Sequence, residues 1–168
     1  MDKLLMELLA VNSETALNFF TENLRNTTHT HPFREDETVY VASILSHYSL
    51  TSRADAASLP SLADLGEVFD TFIMNAAVRN EDSEILEIGG SQILLFAGFF
   101  RDQMSRRHNV SWYDQLGQSM YERASHSSSV PQKRELFDHL AASFPEWTIA
   151  CRDLNRALRE DRLLLKLN

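Results

Sequence analysis

The sequence predicts an all-α fold, a single domain over residues 1–168 with about seven to eight helices packed around one apolar helix at 91–104. Three observations predict it. First, from Ile93 to Phe100 every residue is apolar or glycine, and the run ends abruptly at Arg101-Asp102. A helix apolar all round has no face to offer water, so it belongs at the centre. Second, most of the remaining chain repeats its apolar residues at helical spacing. Third, 5 glycines and 4 prolines in 168 residues are few for a fold of strands and tight turns. Eight apolar residues also fall well short of the roughly 20 a membrane-spanning helix needs.

In chain order, Leu4, Leu5, Leu8 and Leu9 mark one helical face, and Leu17, Phe20 and Leu24 continue after a cap at Ser13-Glu14. These form one long helix or two with a bend near Asn12. Asn26 to Phe33 reads as a loop, because short polar side chains compete for backbone bonds and Pro32 disfavours helix at His31. Glu35-Asp36-Glu37 opens a helix through Val41, Leu45 and Tyr48, although Thr38 to Val41 alone suits a strand. Thr51–Pro60 is expected to be a loop or a short turn of helix. Ser61 caps a helix with Leu62, Leu65, Phe69, Phe72, Ile73 and Ala76 on one stripe, ended by Arg79 to Ser83.

Ile85 to Gly90 is ambiguous. Two glycines between apolar runs suit a hairpin turn; the helical period around them favours a short helix ending at Gly89, with Ser91 opening the central helix. Beyond it, Ser111 is the expected cap of an amphipathic helix along Tyr113, Leu116, Gly117, Met120, Tyr121 and Ala124, with Asp114 on the polar side. Ser125–Ser129 reads as a loop. Pro131 and Pro145 each suit the first turn of a helix. The stripes are Leu136, Phe137, Leu140, Ala141 and Phe144, then Trp147, Ala150, Cys151, Leu154, Ala157 and Leu158. The leucine-rich tail, 163–167, is expected to dock on the core or on another copy.

Charge bounds the partners. The net charge is −8, which argues against general nucleic-acid binding, since that needs a basic footprint. Residues 1–90 hold 5 basic against 15 acidic residues, a balance of −10, and residues 91–168 hold 11 against 9, or +2. One cysteine, Cys151, rules out an intramolecular disulfide and suits a reducing compartment. Glu7 interrupts the N-terminal leucines where a secretion signal would stay apolar, so the expected location is cytoplasmic.

No motif for chemistry stands out. His29-Thr30-His31, Glu122/His126 and Glu135/His139 lack the spacing and company of metal ligands, so no metal and no cofactor are expected. Neither a nucleophile elbow nor a phosphate-cradling glycine loop occurs, and Cys151 falls on an apolar stripe. Two clusters are worth testing. Arg101, Arg106, Arg107 and His108, followed by Trp112 and Tyr113, could hold an anionic or aromatic ligand between helices; in the plainer alternative the arginines complement a helix C-terminus and the aromatics are core. Arg152, Arg156 and Arg159 flank the last apolar stripe, and with Leu164 and Leu167 could form an interface. Local pairing with Asp153 and Glu160 is the plainer alternative. The functional expectation is a non-enzymatic, self-associating interaction protein; the alternative is a small-molecule binder or enzyme using Arg101, His108, Trp112 and Tyr113.

Overall fold

The computed structural model describes residues 13–28, 31–54 and 82–160. Among these, every regular element is helical: α1 (Ser13–Thr27), α2 (Glu35–Ala54), α3 (Ser83–Leu94), a π turn (Leu95–Phe99), α4 (Arg101–Met104), α5 (Val110–Ser127), α6 (Pro131–Ala142) and α7 (Phe144–Glu160). The all-α expectation holds. The expected helices at 2–11 and 62–76 and the tail at 163–167 lie outside the described residues. The chain divides into two compact units, Met1–Leu59 and Pro60–Asn168.

In the first unit α1 and α2 form a helical hairpin. Phe20 and Leu24 of α1 and Val41 and Leu45 of α2 are buried as the spacing predicts, joined by Ala16 and Ala42, while Leu17 and Tyr48 are half-buried. Helix α1 runs into the expected loop, as far as Thr27. The reason is that Thr27 and Thr28 hydroxyls donate back to the carbonyls of Asn23 and Leu24, at 2.8 and 2.6 Å, so the short polar side chains satisfy the helix end. Arg25 pairs with Glu35 across the hairpin. In α2 the Glu37 carboxylate accepts from the Arg34 N–H at 3.2 Å, half of a capping box. Thr38 to Val41 is helical, and α2 continues through Thr51–Ala54, the helical of the two alternatives for the start of that stretch.

In the second unit the glycine pair decides the topology. Gly89 and Gly90 lie inside α3, which neither turns back as a hairpin nor stops at Gly89. Asp82 caps it, accepting from the N–H groups of Glu84 and Ile85 at 3.1 and 3.3 Å. Asp82→Ala should therefore cost about 1 kcal/mol of stability in urea denaturation; an unchanged midpoint would show the cap to be idle. Gly90 lies close under the Tyr121 ring, which a Cβ there would meet at 3.0 Å. Ser91 does not open a helix; its hydroxyl bonds back to the Ile88 carbonyl at 2.8 Å.

The central helix is thus longer than expected, running from Ser83 to Met104 through the π turn. Ile93, Leu94, Leu95, Phe96, Ala97 and Phe100 are all buried. Helix α5 returns antiparallel along it, with Gly90 opposite Tyr121 and Ile93 beside Gly117. Its N-cap position is Asn109, not Ser111, and it runs on to Ser127 through most of the expected serine loop. Ser125 is buried there and donates to the Arg134 carbonyl at 2.8 Å. Pro131 opens α6 as expected, and Pro145 sits in the first turn of α7. Helix α7 buries Trp147, Thr148, Ala150, Cys151, Leu154 and Asn155.

Candidate functional site

The described residues singled out for function gather at one end of the second unit, and the π turn sets the phase of Arg101 there. A π turn closes its backbone bonds over one more residue than an α-helix does; here the Phe100 N–H donates to the Leu95 carbonyl at 3.0 Å. Side chains serve two carbonyls of this segment. Arg101 Nη1 donates to the Ala97 carbonyl at 2.9 Å, and Asn155 Nδ2 donates to the Phe99 carbonyl. At the same level Gly98 lets α7 approach: a Cβ there would lie 3.1 Å from Cys151 Cβ and 3.3 Å from Thr148 Cα.

From that crossing α7 and the end of the central helix run in the same direction, Gly98 against Thr148, Phe99 against Asn155, then Asp102 against Arg156. The C-terminal end of the central helix is therefore tied to the start of α5 through Arg101 and Asp114 and to α7 through Asp102 and Arg156. Arg101 is drawn into this junction. Its guanidinium forks onto Asp114 at 2.9 and 3.0 Å, with both side chains 16% exposed. A two-bond pair of this kind fixes orientation as well as charge. It also occupies the cation on which an inter-helix anion site would depend.

The aromatic part of the cluster forms a chain of edges. Trp112 and Tyr113 stand edge to face with ring centres 4.9 Å apart, and His108 meets Tyr113 at 6.2 Å in the same manner. Trp112 is 39% exposed, whereas Trp147 is fully buried. Arg106 and Arg107 are exposed in the turn. Of the second cluster, Arg152 pairs with its neighbour Asp153 at 2.9 Å, the local pairing that was the plainer alternative. Arg156 pairs outward, with Asp102 at 2.7 and 2.8 Å. That hydrogen-bonded guanidinium holds the Asp102 carboxyl below the usual carboxylate range. Arg159 is exposed. Leu164 and Leu167 lie outside the described residues.

Sequence reasoning missed three members of this junction. Asp114 looked like part of a solvated face, and Asp102 like the charge that ends an apolar run. Asn155 carried a legible signal, as a polar residue one turn after Cys151 on a buried stripe.

Chemistry elsewhere is quiet. Burial pushes the Cys151 thiol up to about 12, so it stays protonated at neutral pH and is a poor nucleophile. His126 is engaged through Nδ1 with the backbone carbonyl of Glu122 at 2.8 Å. Among the described residues no three His, Cys, Asp or Glu side chains gather where they could hold a metal ion. No described helix is long and apolar enough to cross a membrane. Compared with protein-family models, curated proteins and solved structures, the chain finds no match.

Proposed function

We propose that this protein is a non-enzymatic helical interaction module that self-associates across the outer face of α7. The supporting observation is the make-up of that face. Ile149 is 37% exposed, and Arg152, Asp153 and Arg156 follow it at the i+3, i+4 and i+7 positions of the same helical side. Asp102 borders it through Arg156. The face thus offers an apolar anchor ringed by charges of both signs. A two-fold contact sets a patch against itself, so such a patch can match each arginine with a carboxylate of the other copy. Arginine is also the cation that interfaces favour. The small-molecule alternative is weakened by the engagement of Arg101 with Asp114.

Light scattering coupled to size-exclusion chromatography tests the proposal. The wild type should run as a dimer at micromolar concentration, and Ile149→Glu should weaken dimerisation at least tenfold, or about 1.4 kcal/mol. Deleting residues 163–168 asks whether the leucine tail shares the contact. A wild type that stays monomeric at high micromolar concentration would end the self-association reading.

A further inference from the structure

We infer a second contact surface at the turn end of the second unit, fitted to an acidic peptide segment that carries an aliphatic or aromatic side chain. It goes beyond self-association across α7 and does not depend on it.

The turn at 105–107 carries Arg106 and Arg107 into solvent, and among the described residues neither has an ion-pair partner. The neighbouring arginines are engaged, Arg101 with Asp114 and Arg156 with Asp102. Arg106 and Arg107 thus offer two guanidinium forks at the surface. Beside them in the chain stands Trp112, exposed yet held edge-on by Tyr113, which His108 meets in turn. A Trp whose ring is already oriented gives up little freedom on binding, and Trp and Arg are the residue types that dominate interface energetics.

The chemistry selects the occupant. A guanidinium fork matches a carboxylate in two parallel hydrogen bonds, and this end of the molecule already makes that match twice within its own chain. An acidic segment would repeat the geometry from outside, with an apolar side chain on the Trp112 face. Nucleic acid fits less well. Asp102 lies one helical turn before Arg106, and the chain carries −8 overall, so only a couple of phosphates could be neutralised, and affinity for nucleic acid scales with that number.

Tryptophan fluorescence reads the surface directly, since Trp112 is exposed and Trp147 is not. The probe is a short synthetic peptide of glutamates around one leucine, with a glutamine-for-glutamate version as control. The wild type should show a saturable spectral shift at low salt that weakens as salt screens the contact. The control peptide should bind at least tenfold more weakly, and so should the Arg106→Glu/Arg107→Glu variant, whose circular dichroism should match the wild type because both side chains are exposed. Ile149→Glu should bind as the wild type does, even if it no longer dimerises. No shift at millimolar peptide, equal binding by the charge-reversed variant, loss of binding in Ile149→Glu, or tighter binding of a single-stranded oligonucleotide of equal charge would each overturn the inference.

Discussion

Gly117→Val should destabilise the second unit by about 3 kcal/mol. Gly117 lies on α5 where it meets both the central helix and the start of α7. A Cβ at this position would sit 2.3 Å from Phe144 Cζ, 2.8 Å from Phe144 Cε1 and 2.9 Å from Ile93 Cγ2. Real carbons do not approach so closely, and neither neighbour can step aside, because Phe144 is 1% and Ile93 0% exposed. The roughly 1 kcal/mol that alanine gains over glycine in a helix offsets only part of the overlap in Gly117→Ala, and the extra methyls of valine add to it. Urea denaturation should show a lower midpoint at unchanged slope, the mark of lost stability rather than a changed unfolded state. The cause can be isolated with Phe144→Leu, which shortens the ring that collides. In that background Gly117→Ala should do much less harm, a coupling that contacting residues show and distant ones do not. If Gly117→Val unfolds at the wild-type midpoint, the close packing of α5 on Phe144 is wrong.

The next largest effect is expected at the Arg101–Asp114 pair. Arg101→Met should cost about 2 kcal/mol, less than the 3–5 kcal/mol of a fully buried pair because these side chains keep some access to water. Two losses combine: the Asp114 carboxylate is left without its partner, and the Ala97 carbonyl loses a donor. Removing both charges tells a different story. In Arg101→Met/Asp114→Leu no stranded charge remains, and stability should return most of the way, as is usual when an ion pair is replaced whole. Strictly additive single-variant costs would mean that Arg101 acts through something other than Asp114.

What could be read from the sequence and what could not divide along physical lines. Helical stripes are local information: the spacing of Phe20 and Leu24, of Met120, Tyr121 and Ala124, and of Trp147, Cys151 and Leu154 names the core, and all of these are buried. Most errors came from residues whose local preference differs from their tertiary use. Gly89-Gly90 is a turn signal taken alone, yet Gly90 lies close under the ring of Tyr121, far along the chain. Serine and threonine runs suggest loops, but Thr27, Thr28 and Ser91 turn their hydroxyls back onto helix carbonyls. The candidate site was half legible. Arg101 stood out as the charge ending an apolar run, while its partner could not be found, because which face Arg101 occupies depends on a π turn that apolar periodicity does not announce.

That turn makes the central helix sensitive to number rather than to kind. An α-helix advances about 100° per residue, so one residue taken up by the π turn offsets everything after it by about that angle relative to an unbroken α-helix. The offset delivers Arg101 to α5 and, one position later, Asp102 to α7. Exchanging one apolar residue for another of similar volume between Leu95 and Phe99 preserves this phase. Losing a single residue there would restore a regular helix with equally oily walls, but it would swing Arg101 and Asp102 together away from Asp114 and Arg156. Insertions and deletions in these five positions are therefore more consequential than substitutions, and the length of the segment, read as a phase angle, is itself part of how this chain assembles the end that carries its arginines.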